Sequence, residues 1–237
     1  GVQTCALPIL SGGSALINSM AVTVSAGGTL KLASSEEIGS LAGAGAVNLQ
    51  ANVLSLSGGV DTIYSGLMSG AGSLVKTGSA VFTMSGANTF SGGVTLSEGA
   101  IQVGDNAALG TGTVTFSGGR ISSDSATARS LANEFAMSGT LGLGDATNSG
   151  ALTLSGNVAL GGDTTLTVAS AATLSGVVSG AYSLTKAGVA ELTLSGVNTF
   201  SGSTNVDAGV LTLSGGSALI NSMAVRSEEH TSELQSH

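Results

Sequence analysis

The stretch GAGSLVKTGSAVFTMSGANTFSGGVTLSEG, Gly70 to Gly99, returns 110 positions later as GAYSLTKAGVAELTLSGVNTFSGSTNVDAG, Gly180 to Gly209. The two align without a gap and agree at 16 of 30 places, among them Lys76/Lys186, Gly78/Gly188, Asn88/Asn198 and Phe90/Phe200. Where they differ they keep a rule. Phe82-Thr83-Met84 becomes Leu192-Thr193-Leu194, and Ile101-Gln102-Val103 becomes Leu211-Thr212-Leu213, always apolar, polar, apolar. A strand face and its turn persist while individual side chains drift, which is how a repeat architecture shows itself in sequence.

Working outward, the same alternation recurs in Val22-Thr23-Val24, Leu30-Lys31-Leu32, Val114-Thr115-Phe116, Leu152-Thr153-Leu154 and Leu166-Thr167-Val168. Period two marks strands with one buried face. Between them lie Ser57-Gly58-Gly59, Ser117-Gly118-Gly119 and Ser155-Gly156-Asn157, turns in which glycine is expected to supply positive φ. The best helical window is Ala126 to Met137; its caps are weak and its length modest, and a longer loop or strand is the favoured reading.

Short, regular strands fit a sandwich, a barrel or a solenoid. A closed sheet has a fixed strand number, whereas a repeated unit extends a column of stacked rungs. The expectation is therefore all-β: a right-handed parallel β-helix of about nine or ten rungs, roughly 45 Å long at ~4.8 Å per rung. Phe82, Met84, Phe90, Leu96, Ile101 and Val103 should point inward, and Thr83, Thr95 and Gln102 outward.

The ends read differently. GVQTCALPI (residues 1–9) and RSEEHTSELQSH (226–237) hold the single Cys5, the single Pro8, and His230 and His237. Each resembles one translated frame of short-read sequencing adaptor DNA, and they are set apart from the fold as adaptor-derived. Residues 10–225 are the solenoid segment, with repeats at 70–104 and 180–214. The 13-residue string LSGGSALINSMAV occurs at Leu10–Val22 and again at Leu213–Val225, 203 positions on. Either long tandem copies or an assembly join produces such an identity, and tandem copies are the better reading, because Val22 runs smoothly into TVSAGGTLKL.

Composition limits function. With 8% charged residues and 3% aromatic, the chain is glycine-rich and mildly acidic, at a formal −8. Its 42% hydrophobic content opposes disorder. Without a basic patch it offers nothing to neutralise phosphates, so nucleic acid is not an expected partner. No apolar run approaches the ~18 residues of a membrane span, so membrane insertion by this segment is not expected, and no signal-peptide pattern stands at the N-terminus.

The two repeats, read as L-x-K-x-G, a strand, S-G-x-N-T-F-S-G and a second strand ending at glycine, closely resemble the passenger-associated transport repeat of bacterial autotransporters. That resemblance implies export across a Gram-negative outer membrane through a C-terminal β-barrel that is absent from this sequence. It implies a cell-surface or extracellular location, associated with the outer membrane through that barrel, and a role as stalk or adhesin-like surface, with host or bacterial surface molecules as ligands. A scaffold for an enzyme whose catalytic domain lies elsewhere is the alternative.

Catalysis needs groups within reach of one another. Residues 10–225 contain no His or Cys, and no Ser lies in G-x-S-x-G. No catalytic, cofactor or metal residue is therefore assigned, and the segment is not expected to be an enzyme. Glu36, Glu37, Asp105, Asp124 and Asp163 are scattered and read as solvated turn residues. Gly142-Leu143-Gly144-Asp145 matches only part of a calcium-binding nonapeptide. Lys76 and Lys186 are read as strand-end lysines that protect an edge or aid solubility, rather than as ligand contacts. Asn88 and Asn198 are read as satisfying turn backbone.

Overall fold

A computed structural model of the chain describes residues 9–10, 18–214, 219 and 225–227. Every regular element among them is a β-strand, and every strand pairing is parallel. A single coil shows the plan. Val53–Leu56, Thr62–Tyr64 and Met68–Ser69 follow one another around the axis. The chain then returns as Ser73–Lys76 directly over Val53–Leu56, with Leu74 opposite Leu54 and Lys76 opposite Leu56. About ten such turns build a parallel β-solenoid.

Three faces run along the column. The first carries Ala21–Val24, Ser40–Gly43, Thr62–Tyr64, Val81–Met84, Ala100–Val103 and Arg120–Ser123. The second carries Glu36–Ile38, Val53–Leu56, Ser73–Lys76, Val94–Leu96 and Val114–Phe116. The third starts with Ile9–Leu10, Thr29–Leu32, Ala46–Asn48 and Met68–Ser69. It continues through two rungs outside regular strand, 88–90 and 107–110, where Thr89 N–H donates to Met68 O and Thr111 N–H to Phe90 O, each at 2.9 Å. It resumes as Arg129–Leu131, Leu152–Leu154, Ala172–Leu174, Glu191–Leu194 and Val210–Leu213. Phe135–Leu143 and Val158–Val168 are long because each bends from the second face onto the first. Val158 pairs with Val178 and Thr164 with Leu184, and the register shifts between Met137 and Gly139. The window 126–137 is thus strand, at Arg129–Leu131 and from Phe135 onward.

Alternation sets the core. Phe82, Met84, Phe90, Leu96, Ile101 and Val103 are all buried, while Thr83, Thr95 and Gln102 are partly exposed. Leu131, Leu154, Leu174 and Leu194 stack in consecutive coils on the third face. Each inward side chain covers the one above and the one below, so stacked aliphatic columns, two side chains wide on strands such as Val81–Met84, fill the core and few aromatics are needed. Tyr64 is one of those few, and its hydroxyl donates to Gly45 O at 2.8 Å.

Glycine is used differently from the sequence expectation. Gly119 does adopt positive φ, at 76°, but Gly58 and Gly156 do not. At Gly58 a Cβ would lie 2.2 Å from Gly39 O, and at Gly156 2.0 Å from Asn133 O. Corners of successive coils approach too closely there for any side chain.

The ends also differ in part from expectation. Residues 1–9 and 226–237 are set apart from the fold as adaptor-derived in the sequence reading. Ile9 nevertheless pairs with Lys31, Arg226 with Asn205 and Ser227 with Val206. An open parallel edge accepts backbone regardless of side chain. The remainder of both stretches lies outside the described residues.

Candidate functional site

The repeated polar residues are the natural starting point, and the structure turns them inward. Lys76 and Lys186 are 2% and 1% exposed. Both stand two positions after an inward leucine, Leu74 and Leu184, so strand parity carries them into the interior. The expectation of an edge or solubilising lysine is overturned.

Lys186 Nζ donates to Ala187 O at 2.9 Å, Gly188 O at 2.7 Å and Ala208 O at 2.9 Å, using all three ammonium protons. Lys76 Nζ donates to Gly78 O. Burial lowers both lysines from their ordinary value of 10.5; at Lys76 the charges of Glu98 and Asp61 partly oppose that shift. Equivalent glycines one coil on, Gly99 and Gly209, leave the room. A Cβ there would lie 2.7 Å from Lys76 Nζ and 2.9 Å from Lys186 Nζ. Both glycines have positive φ, 73° and 69°.

Asn88 and Asn198 are each 1% exposed and do satisfy backbone, but between coils rather than within a turn. Asn88 Oδ1 accepts from Met68 N–H at 2.7 Å and its Nδ2 donates to Ala108 O at 2.6 Å, tying three successive coils together. Asn198 Oδ1 accepts from Val178 N–H at 2.8 Å. Asn133, outside the repeats, donates to Gly110 O at 3.1 Å and Gly112 O at 2.8 Å. No sequence signal singled it out beyond an amide near a corner.

The two copies do not stack over one another. Ser73–Lys76 lies on the second face, between Val53–Leu56 and Val94–Leu96, whereas its counterpart Leu184–Ala187 lies on the first. Val81–Met84 is on the first face and its counterpart Glu191–Leu194 on the third. The second copy is therefore displaced by five coils and one face, and the matching outward residues point in different directions.

The acidic residues are dispersed. Asp163 accepts from Ser183 N–H at 2.9 Å and Asp105 from Ala107 N–H at 2.7 Å. Asp124 pairs with Arg129 at 3.1 Å. Glu36 is buried, at 4% exposure, and accepts from Ser34 Oγ at 3.2 Å, so it is not a solvated turn residue. Asp145 pairs with Arg120 at 2.7 Å and accepts from Thr147 and Asn148 N–H at 2.8 and 3.1 Å. Those backbone donors, with Arg120, hold its carboxyl below the usual carboxylate range despite opposing burial. Its oxygens are taken up by the protein itself. Among the described residues no three His, Cys, Asp or Glu side chains come together as a metal would need, and no helix is long and apolar enough to cross a membrane.

The described residues also form surface grooves. One, about 410 Å³, is lined by residues including Asn18, Ala21, Ser57 and Val60; another, about 350 Å³, by residues including Asn106, Thr111, Ser130 and Asn133. Among the described residues, neither lining includes a carboxylate, lysine or arginine.

The passenger-associated-transport-repeat family model matches the chain twice, at residues 74–103 and 184–217. These are the two segments that carry the buried lysine, the bridging asparagine and the paired glycine. No curated protein and no solved structure matches the chain. The chain thus carries two passenger-associated transport repeats on a parallel β-solenoid, and the repeats support an autotransporter passenger domain.

Proposed function

We propose that the segment is structural. In this reading it is part of a passenger exported through the C-terminal β-barrel of a Gram-negative autotransporter, a barrel outside this sequence. At the cell surface it supplies length and an outward Thr/Ser/Gln surface, as a stalk or adhesin-like interaction face, and it performs no catalysis of its own.

The observation that carries the reading is where the repeated polar groups go. In both copies the lysine and the asparagine are spent on backbone groups of the coils. The copies also face different directions, so their outward residues form no common binding stripe. What recurs serves the column rather than a ligand.

Fusion of residues 10–225 to a signal peptide and an autotransporter barrel in a Gram-negative host tests it. The repeats should become protease-accessible on intact cells, and beads coated with the segment report any binding to host matrix or other bacteria. Hydrolase, lyase and glycosidase screens on the purified segment should stay at background. Turnover abolished by a single point substitution would overturn the assignment.

A further inference from the structure

We infer that the edge of the column at Val210–Leu213 is a docking edge for a second copy of the same ten-coil unit, joined in tandem with a 203-residue period. The next rung on that edge is Thr29–Leu32 of the following copy. The inference stands on the sequence recurrence and the coil geometry, so the outcome of the surface-display experiment leaves it untouched.

The sequence recurrence gains its meaning from phase. Leu10 ends a strand on the third face, and its counterpart Leu213 ends another on the same face. Downstream, Ala21–Val24 enters the first face, and so does Val225–Ser227, which holds the counterpart of Val22. From Ile9–Leu10, the rungs of the third face are Thr29–Leu32, Ala46–Asn48, Met68–Ser69, 88–90, 107–110, Arg129–Leu131, Leu152–Leu154, Ala172–Leu174, Glu191–Leu194 and Val210–Leu213. The 203-residue offset therefore spans ten whole coils. An arbitrary offset can land on any of three faces, and the 110-residue repeat of this same chain lands one face away. A period that restores the phase is what seamless extension of the column requires.

The exposed edge has the matching chemistry. Leu211 and Leu213 lie over Leu192 and Leu194, both fully buried. Leu213 itself is 46% exposed and Leu211 only partly buried, and among the described residues no rung lies over them. At the other end, Leu32 is the inward residue that receives Leu10, with Lys31 beside it opposite Ile9. The recurrence carries that register across the joint. Leu213 should meet Leu32 of the following copy, Thr212 should meet Lys31, and Val225 should meet Leu41, as Val22 does within this copy.

The test is a tandem chain in which Val225 is followed directly by residues 23–225 of a second copy, compared with the full single chain. A control joins Val225 to residue 30 instead, a slip of about one face. Small-angle scattering of the in-phase tandem should show an unchanged cross-section and a maximum dimension greater by about 48 Å, ten rungs at ~4.8 Å. Its urea unfolding should be one transition with a midpoint above that of the single chain. Thr212→Cys in the first copy with Lys31→Cys in the second should oxidise to a disulfide in the in-phase tandem and not in the control. A bent or two-bead particle, or a disulfide no more efficient than in the control, would overturn the inference.

Discussion

The two repeats hold the same lysine in unlike surroundings. Lys186 is enclosed by three carbonyls, with burial setting its proton affinity. Lys76 has one such bond and the charges of Glu98 and Asp61 nearby. At the position of Glu98 the second copy has Ala208, whose carbonyl is itself one of the acceptors of Lys186. Both corners offer backbone carbonyls to the buried ammonium, three at Lys186 and one at Lys76, where the charges of Glu98 and Asp61 add to it. The two repeat corners thus share an inward lysine and a glycine beside it, and differ in what surrounds the ammonium.

The glycine half of that rule should give the largest effect. Gly99→Ala and Gly209→Ala would each place a Cβ in left-handed backbone, 2.3 and 2.5 Å from the carbonyls of Gly78 and Gly188. Each should cost about 3–4 kcal/mol, combining the ~1–2 kcal/mol of that conformation with ~1–3 kcal/mol of overpacking. Urea unfolding of both variants checks this, and a cost confined to one copy would break the equivalence of the corners. Next is Asn88→Ala, which strands the Met68 N–H and the Ala108 carbonyl inside the column and should cost about 2–3 kcal/mol.

The lysines themselves should separate the copies. Lys186→Met removes the donor from three carbonyls and should destabilise by about 2 kcal/mol, against about 1 kcal/mol for Lys76→Met, which removes one bond. Equal costs would show that the acids at Lys76 contribute as much as the carbonyls at Lys186. The smallest effect is the pH response. A lysine lowered by burial binds fewer protons folded than unfolded in the interval below 10.5, so stability should rise with pH across that interval and level off above it. Lys186→Met should flatten more of that rise than Lys76→Met, since Glu98 and Asp61 already restore part of the proton affinity of Lys76. Urea midpoints between about pH 8 and 11 measure it.

Much of this was legible in the sequence for a simple reason. Parity two places Phe82 and Met84 inward and Thr83 outward whatever the tertiary context, and glycine-marked corners at about 20-residue spacing lead to stacked coils. The same parity also placed Lys76, two residues from Leu74, on the inside. It was misread because an ammonium is ordinarily expensive to bury, and only the folded corner supplies the carbonyls that offset the expense. The rotation of the second repeat onto another face was not legible. It depends on how much chain each corner uses, and that varies: three residues link Phe116 to Arg120, whereas five link Ser123 to Arg129. Pairing of Arg120 with Asp145 likewise arises only from stacking Arg120 beside Gly142.

These repeats encode strands and corners rather than a fixed face, so that one copy is turned by a face relative to the other. Spin labels at outward positions test it most directly. Thr83 and Thr185 both lie on the first face, linked through the successive pairings of Val81–Met84, Ala100–Val103, Arg120–Ser123, Phe135–Leu143, Val158–Val168 and Leu184–Ala187. Their labels should be separated by roughly 24 Å along the axis, five rungs at ~4.8 Å. Thr193, the sequence counterpart of Thr83, lies on the third face. The Thr83–Thr193 distance should be clearly longer than the Thr83–Thr185 distance; a Thr83–Thr193 distance near 24 Å, with Thr83–Thr185 the longer of the two, would contradict the rotation of the second copy.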